Sequence, residues 1–305
     1  MKIKGINVEA GMPASELVGR MECVGLQASE LAKAVRVIKE MKANKAKIFL
    51  TFTSNMVSSG LRELIAQLVR DGFVDVIITN VGSIEEDAMK SFSSFELSSF
   101  DADDAALHGR GENRVGNIII PSSAYVAFES FVQPLLKELL KKQEEGGGFA
   151  SPSEIARLIG ERVKDEDSFL RQAFLKKVPV YCPAPTDGAF GLQLFYFKQD
   201  NPAFVLDVTG DMKALSKLVL ESDSTGGLIL GGGAAKHHAI GLQLVRGGFD
   251  YAVYVTTATE FDGSLSGARV REAVSWGKVK ERARFANVYC EASIALPLIV
   301  SGLLG

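Results

Sequence analysis

The sequence predicts an α/β protein with a doubly wound, mostly parallel sheet in a single large domain spanning residues 1–305. Short runs rich in β-branched residues alternate with longer segments of helical period, as in folds built from strand–helix units. Several of the runs are apolar throughout, which is typical of strands covered on both faces. The chain has 305 residues, 47% hydrophobic and 23% charged, so one sizeable core can form.

The predicted strands follow the β-branched runs in chain order. They cover residues 46–53, 74–80, 115–121, 178–184, 203–208, 227–232, 251–257 and 286–292. The predicted helices lie between them, over residues 29–42, 211–222 and 236–247. Leu31, Val35, Ile38 and Met41 fall on one stripe of the first helix, which is therefore expected to be amphipathic.

One break in composition lies at residues 143–154, QEEGGGFASPSE. Ser151 is placed as a helix N-cap, Pro152 as the first helical residue and Glu154 as the partner in a capping box. Because strands are predicted on both sides, the segment indicates an exposed loop between two helices and not a domain boundary.

Composition excludes several classes of function. The net charge of −3 does not favour nucleic acid as a partner. The first residues lack an apolar signal core, and the closing run ASIALPLIVSGLLG is too short to span a bilayer, so no membrane association is expected. Three widely spaced cysteines fit neither a disulfide framework nor a metal site, which favours a reducing, cytoplasmic location.

A glycine-rich turn follows the predicted strand at 227–232, in the segment GLILGGGAAKHHAIG. Such a turn before a helix lets backbone N–H groups approach a phosphate. The spacing differs from the dinucleotide pattern, and a tight turn that needs positive φ explains the glycines equally well. His237 and His238 follow directly, at the strand end where open α/β sheets bind ligands.

Three other strand ends carry polar residues. TFTSNMVSSG (51–60) could bind ribose or phosphate, or its hydroxyls could only cap a helix. TNVGSIEED (79–87) places Glu85, Glu86 and Asp87 at a helix start, where the helix dipole alone explains them, although a cationic ligand would also suit them. PAPTDGAFG (183–191) offers Asp187, with a simple turn as the alternative.

The segment EFDGSLSGARVREAVSWGK (260–278) contains the one tryptophan of the chain, Trp276, close to Lys278. Glu272 and Trp276 are four residues apart and share a face if the segment is helical. An indole beside a lysine can lower the pKa of the amine and yield the neutral form that attacks imines. A solvated lysine at a helix end is the alternative, and spacing alone leaves both open.

Together these segments resemble the deoxyhypusine synthase family. The blocks that carry the resemblance are GLQASELAKAV (25–35), TSNMVSSGLRE (53–63), VDVIITNVGSIEED (74–87), PAPTDG (183–188), GGGAAKHH (231–238), YAVYVTTATEFDGS (251–264), SGAR (266–269), EAVSWGK (272–278) and VYCEAS (288–293). The resemblance implies a Rossmann-like domain, a homotetramer and an NAD-dependent transfer of the aminobutyl group of spermidine. The acceptor is a lysine of the hypusine-containing translation factor.

The resemblance also implies roles for individual residues. Lys278 would be the covalent nucleophile and His237 the acid/base. The substrate would be bound by Glu85, Glu86, His237, Gly263, Ser264, Glu272 and Trp276. NAD would be bound by Ser54, Asn55, Ser58, Asn80, Val81, Gly82, Glu86, Asp187, Gly232, Thr257, Ala258, Glu291 and Ala292. No metal is implied.

Three positions depart from the family pattern where polar residues grip the polyamine. Leu192 and Leu265 stand where the family has aspartates, and Gly241 stands where it has asparagine. Because only the amine-gripping positions are lost, we expect a protein that keeps the family's chemistry but selects a different amine. Three hypotheses follow: an ordinary deoxyhypusine synthase, a relative that uses agmatine or a homospermidine-type reaction, and a non-catalytic subunit that binds NAD.

Overall fold

The structure is a computed structural model and describes residues 2–305. The backbone groups into two compact units. The first, called here the sheet unit, contains the residues up to Phe52, the short segment Phe73–Ile78, and Ala214–Gly305. The second, called the helical unit, contains Thr53–Gly72 and Thr79–Lys213. The expected single domain over residues 1–305 stays a prediction.

The strands are numbered in chain order. They are β1 (Lys47–Phe52), β2 (Val76–Thr79), β3 (Glu96–Leu97), β4 (Glu112–Val115), β5 (Ile118–Pro121), β6 (Val180–Tyr181), β7 (Thr225–Leu230), β8 (Phe249–Thr256) and β9 (Val279–Tyr289).

The helices are numbered in the same way. They are α1 (Ala14–Arg20), α2 (Leu26–Ala43), α3 (Asn55–Ser58), α4 (Arg62–Arg70), α5 (Val81–Lys90), α6 (Asp104–Gly109), α7 (Ser122–Glu144), α8 (Pro152–Arg162), α9 (Phe169–Lys176), α10 (Ala189–Asp200), α11 (Val208–Leu220), α12 (Gly233–Leu242), α13 (Val270–Ser275) and α14 (Ala292–Leu304). No helix in residues 2–305 is both long and apolar enough to cross a membrane.

Five strands lie side by side in the sheet unit, in the order β2-β1-β7-β8-β9. The pairs β1–β7, β7–β8 and β8–β9 are parallel, so the predicted parallel α/β sheet is confirmed. Leu50, Leu228, Val253 and Ala286 form one row across four strands, and all four are buried. Every residue of β7 is buried, which requires cover on both faces of the strand.

Helix α2 covers part of this sheet through the predicted stripe. Leu31, Val35, Ile38 and Met41 are all buried. Met41 packs so closely on β7 that a Cβ atom at Gly226 would lie 2.6 Å from its sulfur. A larger residue at this position would therefore require the Met41 side chain to move.

The helical unit is organised around a buried ion pair between α4 and α5. Arg62 Nε donates to Asp87 Oδ1 at 2.7 Å, and both side chains are almost fully buried. Asp87 also accepts hydrogen bonds from the Ser168 hydroxyl and from the backbone N–H groups of Phe169 and Leu170. One carboxylate thus joins α4, α5 and the first turn of α9.

One predicted strand belongs to a second, antiparallel sheet, and another is wrong. Residues 115–121 form the turn and second strand of a β4–β5 hairpin, because Gly116 adopts a φ of +61°. This hairpin belongs to an antiparallel sheet in the order β3-β5-β4. Residues 203–208 form no strand, and Leu206 makes a single bridge to Ala150. Of the predicted strand at 178–184, Val180 and Tyr181 form the short strand β6.

The loop at 143–154 is confirmed. It joins α7 to α8 inside the helical unit, so no boundary between the units lies there. The Ser151 hydroxyl accepts a hydrogen bond from the Glu154 N–H at 3.3 Å, and Pro152 is the first residue of α8. The Glu154 carboxylate accepts a hydrogen bond from the Lys142 ammonium.

Candidate active site

The carboxyl ends of three neighbouring parallel strands bring part of the predicted cofactor set to one edge of the sheet. Gly232 follows β7, Thr257 and Ala258 follow β8, and Glu291 and Ala292 follow β9. Adjacent parallel strands end at the same edge, so these residues collect there although sixty positions separate the first from the last. This is the edge at which open α/β sheets bind ligands.

The glycine turn at this edge is built for close packing. Gly231 and Gly233 have φ values of +79° and +67°, which accounts for two of the three glycines. A Cβ atom at Gly232 would lie 2.3 Å from the Ser266 hydroxyl oxygen and 2.7 Å from the Ser266 Cα. The tight-turn explanation therefore suffices for the glycines, and phosphate binding at the turn stays a prediction.

Glu291 has a structural task at the same edge. Its carboxylate accepts hydrogen bonds from the backbone N–H groups of Ser293 and Ile294 and so caps α14. Its role in holding the cofactor stays a prediction.

A pocket of about 260 Å³ lies within the sheet unit, beside α12 and α13. Five of the predicted residues line it, namely His237, Gly263, Glu272, Trp276 and Lys278. The remaining lining residues are Lys236, Ile240, Tyr254, Leu265, Ala268, Arg269 and Ala273. Ser264 is exposed beside the pocket, and its N–H donates to Asp262.

Lys278 and Trp276 are in contact. The ammonium nitrogen of Lys278 lies 5.3 Å from the centre of the indole ring, within the range of a cation–π interaction. Trp276 caps the C-terminus of α13, and the chain then turns at Gly277, whose φ is +66°. Lys278 is half-buried and Trp276 is 66% exposed, so within one chain the indole covers the lysine without excluding water.

Two groups in the pocket have unused hydrogen-bonding capacity. Across residues 2–305, neither the carboxylate of Glu272 nor the imidazole of His237 forms a hydrogen bond or an ion pair. Glu272 and Trp276 both line the pocket, as their spacing predicts. A carboxylate and an imidazole without hydrogen bonds, together with a lysine in the same pocket, are suited to binding an amine and moving its protons.

Lys236 is a pocket residue that sequence reasoning missed. Its side chain is fully buried, and its ammonium donates to the Ala268 carbonyl at 3.0 Å. The same nitrogen lies 4.3 Å from the centre of the Tyr254 ring. Burial lowers the pKa of Lys236 to about 8, against a smaller opposing effect of Glu272. Helical spacing could have revealed this burial. Lys236 lies three and four positions before Ala239 and Ile240, which are both buried, so it shares their face of the helix.

The helical unit gathers a second set of predicted residues. Ser58 donates its hydroxyl hydrogen to Glu86 Oε2 at 2.5 Å, joining α3 to α5. A Cβ atom at Gly82 would lie 2.8 Å from the Ser54 Cβ, so the first turn of α5 rests against the 54–58 segment. Burial raises the pKa of Glu86 to about 7, while the hydrogen bond from Ser58 acts in the opposite direction.

The start of α5 leaves backbone donors for a ligand. Val81 and Gly82 form its first turn, and Asn80, at the N-cap, makes no capping hydrogen bond through its side chain. Ser54 likewise makes no capping bond to α3, and Asn55 pairs with the Thr53 hydroxyl. Helix capping was the alternative explanation for this serine-rich segment. The Ser54 hydroxyl does not cap α3, so that explanation does not apply to Ser54.

Glu85 and Asp87 do not lie at a helix start, because α5 begins at Val81. Glu85 instead accepts from the backbone N–H groups of Ala189 at 3.2 Å and Phe190 at 2.7 Å, so it caps α10. This engagement accounts for Glu85 without a substrate. Asp187 is exposed just before α10.

The three departures from the family pattern lie in different surroundings. Leu265 lines the pocket. Gly241 lies on α12, where a Cβ atom would meet nothing within 4 Å. Leu192 lies in the helical unit, on α10, with 57% of its surface exposed. Within residues 2–305 no group of histidine, cysteine and carboxylate side chains could hold a metal ion.

The parallel sheet, its polar carboxyl edge and the lysine-bearing pocket define a Rossmann-like α/β protein with a candidate active site. A family model for deoxyhypusine synthase matches residues 16–303. A deoxyhypusine synthase from Senecio vernalis is 37% identical over 98% of this chain and 88% of its own length. A probable deoxyhypusine synthase from Halobacterium salinarum is 43% identical, over 98% and 91%.

A solved structure agrees with these relatives. The crystal structure of a protein assigned as a deoxyhypusine synthase of Entamoeba histolytica is 27% identical, covering 99% of this chain and 96% of that one, with a TM-score of 0.72. The chain therefore belongs to the deoxyhypusine synthase family, a family of transferases.

Proposed function

We propose that the chain is an NAD-dependent transferase that passes an aminoalkyl group through an imine on Lys278, the type of reaction that deoxyhypusine synthases perform. The donor in the ordinary reaction is spermidine, and the acceptor is a lysine of the hypusine-containing translation factor. NAD, when bound, would accept a hydride from the donor carbon and later return it.

The observation that carries the proposal is the pocket around Lys278. The amine of Lys278 lies against Trp276, and Glu272 and His237 line the same small space with free polar groups. Imine exchange needs a nucleophilic amine, a carboxylate to hold an ammonium, and a group that moves protons between nitrogens. All three residue types are present.

Each residue has a part in the proposed chemistry. Lys278 would attack the imine carbon of the oxidised donor and keep the aminoalkyl group while the rest of the donor leaves. His237 would carry a proton between the attacking and leaving nitrogens. Glu272 would bind an ammonium of the donor, and Trp276 would cover its hydrocarbon chain.

Two clusters fit NAD by residue type. The first turn of α5 has backbone donors without a capping side chain, which suits a pyrophosphate, and Glu86 beside it can bind ribose hydroxyls. At the carboxyl edge of the sheet, Gly232, Thr257 and Ala258 belong to the set of NAD-binding residues that the family resemblance implies. These assignments agree with the set that the family resemblance implies.

Assembly and location belong to the same proposal. A homotetramer is proposed on family membership, and a second subunit could supply the cover that Trp276 lacks in one chain. A cytoplasmic location is proposed because, within residues 2–305, none of the three cysteines forms a disulfide bond.

The test is covalent trapping. The full-length protein is incubated with NAD and an amine, treated with borohydride, and digested for mass spectrometry of the peptide that contains residue 278. A mass increase at Lys278 is expected, and Lys278→Arg should abolish it because guanidinium does not form the imine. Trapping that survives in Lys278→Arg, or a cofactor-independent adduct, would contradict the proposal.

A further inference from the structure

A second pocket of the sheet unit, of about 350 Å³, lies where α2, the strand β9 and the start of α13 meet. Because β9 is the last strand of the sheet, the N–H groups along its outer edge have no neighbouring strand. Side chains of α2 cover two of them. The Tyr289 N–H donates to Gln27 Oε1 at 2.7 Å, and the Asn287 N–H donates to Glu30 Oε2 at 3.2 Å. The pocket therefore lies on a sheet edge that α2 partly covers.

The other side-chain oxygens that line this pocket also accept hydrogen bonds. Asn287 Oδ1 accepts from the Val270 N–H at 3.0 Å. The Tyr289 hydroxyl accepts from Arg269 Nε at 3.2 Å and donates its own hydrogen to Glu260 at 2.9 Å. These bonds join β9 to the start of α13 and leave the acceptor atoms of the pocket occupied.

The polar groups that remain free in this pocket are donors. Because the side-chain oxygens of Gln27 and Asn287 accept from backbone N–H groups, the NH₂ group of each amide is left for another partner. Within residues 2–305, the guanidinium of Arg271 forms neither a hydrogen bond nor an ion pair, and it lies 5.8 Å from the centre of the Phe285 ring. A pocket with free donors and occupied acceptors favours an anionic ligand.

The charges of the pocket leave one cation unbalanced. The Lys33 ammonium pairs with Glu30 at 3.3 Å, and Arg269 pairs with Glu260. Arg271 lines the same space without such a partner. One carboxylate from a ligand would restore the balance of charge, and its two oxygens fit the planar fork of a guanidinium.

This pocket adjoins the pocket around Lys278. Arg269 lines both, so the two pockets share a wall within the sheet unit. Glu272 follows Arg271 in the sequence, but it lines the pocket around Lys278 and, in the described part of the chain, forms no ion pair with Arg271. Arg271 is exposed, so a group on the surface of another protein can reach it. A protein lysine that enters the first pocket brings neighbouring residues of its own chain over the second.

We infer that the second pocket binds an aspartate or glutamate of the protein acceptor, with the carboxylate on Arg271, while the acceptor lysine enters the pocket around Lys278. The inference rests on the proposed function. Arg271 is a specificity-determining residue, because it selects an acceptor that carries a carboxylate near its reactive lysine. It takes no part in the attack on the donor.

The first test separates acceptor binding from the donor chemistry. The full-length protein with NAD and spermidine is assayed for transfer to the translation factor, and the adduct at Lys278 is trapped with borohydride in the absence of acceptor. Arg271→Gln should raise the KM of the acceptor about three- to tenfold, as expected for loss of an ion pair at a partly open site. The kcat value and the yield of the Lys278 adduct should not change.

Further variants control for charge and shape. Arg282→Gln removes an exposed cation of β9 that does not line the pocket, so the KM of the acceptor should stay the same. Arg271→Lys keeps the charge without the planar fork and should give an intermediate KM. Added salt should narrow the gap between the natural protein and Arg271→Gln, because ions screen an exposed charge. Melting temperatures establish that the variants fold.

The second test looks for the partner of Arg271 on the acceptor. Each aspartate and glutamate near the acceptor lysine of the translation factor is replaced by the matching amide. One of these replacements should raise the KM with the natural protein and have no further effect with Arg271→Gln, which is the behaviour of two residues in contact. Additive effects at every position would overturn the inference.

The outcomes separate the two proposals. An unchanged acceptor KM in Arg271→Gln, with a normal adduct at Lys278, would overturn the docking inference and leave the transferase proposal standing. Binding of free succinate that depends on Arg271, again with an unchanged acceptor KM, would assign the pocket to a small carboxylate instead. No adduct at Lys278 from any amine, in natural protein that binds NAD, would overturn the transferase proposal itself.

Discussion

Ser58 donates its hydroxyl hydrogen to Glu86 across 2.5 Å, and within residues 2–305 this is the one hydrogen bond by which another side chain supports that buried carboxyl group. Lys90, on the same helix, uses its ammonium on the backbone carbonyls of Val57 and Ser59. Glu86 is therefore held in place without a charged partner at hydrogen-bond distance. Burial raises its pKa to about 7, and the hydrogen bond from Ser58 and the charge of Lys90 oppose this effect only in part.

The raised pKa of Glu86 predicts a pH-dependent cost to stability. In the unfolded chain the carboxyl ionises near 4.5, whereas in the folded protein it ionises near 7. The folded state therefore loses relative stability as pH rises through this interval, and the full penalty is present above 7. Glu86→Gln should be more stable than the natural protein at pH 8, by at most about 3 kcal/mol, and nearly equal at pH 4.5.

The measurement for Glu86→Gln is chemical unfolding at several pH values. Other titrating groups cancel in the comparison with the parent protein. Glu63→Gln, on the exposed side of α4, serves as the control and should give no such trend. A constant difference between Glu86→Gln and the parent from pH 4.5 to 8 would contradict the prediction.

A matched pair of glycines tests the packing of the glycine turn. Gly232→Ala should displace Ser266, because the new Cβ would overlap its hydroxyl and Cα. Since Ser266 adjoins pocket residue Leu265, binding of the amine should weaken severalfold. Gly241→Ala meets open space on α12 and should stabilise the protein by up to about 1 kcal/mol. Calorimetry and thermal unfolding of both variants provide the measurements, and equal effects would contradict this account.

The buried ion pair of the helical unit predicts a large loss of stability. Arg62→Met leaves Asp87 buried without its cation, which should cost about 3–5 kcal/mol of unfolding free energy. Arg70→Met, on the exposed end of the same helix, should cost less than about 0.5 kcal/mol. Denaturant titration of the two variants decides the matter. Similar midpoints for both would show that the pair contributes little.

Trp276 should affect binding more than stability. Because its ring is 66% exposed, Trp276→Ala should change the free energy of unfolding by less than about 1 kcal/mol. The same change removes the aromatic face beside Lys278 and should weaken amine binding, while Trp276→Phe should retain part of it. A large drop in melting temperature for Trp276→Ala would instead indicate a structural role.

The sequence predicted the parallel sheet because strands such as β7 and β8 are apolar on both faces. It failed at residues 203–208, where local polar groups replace sheet pairing. The Val205 N–H donates a hydrogen bond to the side-chain oxygen of Gln143. The Asp207 carboxylate accepts hydrogen bonds from the Thr209 hydroxyl and the Gly210 N–H at the start of α11. Partners that lie sixty positions away are not visible in a local pattern.

The candidate site likewise combines residues that a local pattern predicts with residues whose surroundings depend on distant parts of the chain. Proximity along the chain was enough to place Glu272, Trp276 and Lys278 in one pocket. The partners of Glu85 and Asp87 could not be foreseen from a local pattern. Phe190, on α10, lies 105 positions from Glu85. Ser168, the N-cap of α9, lies 81 positions from Asp87. Lys236 was missed because a lysine in a helix is usually solvated, and its burial depends on the loop at 266–268.

The full enclosure of Lys236 has a practical consequence for chemical labelling. Two lysines line the pocket, but the ammonium of Lys236 is committed to the Ala268 carbonyl and has no exposed surface. An acylating reagent can reach the half-buried Lys278 and cannot reach Lys236 while the fold is intact. A small electrophile could therefore tag one lysine of the pair selectively.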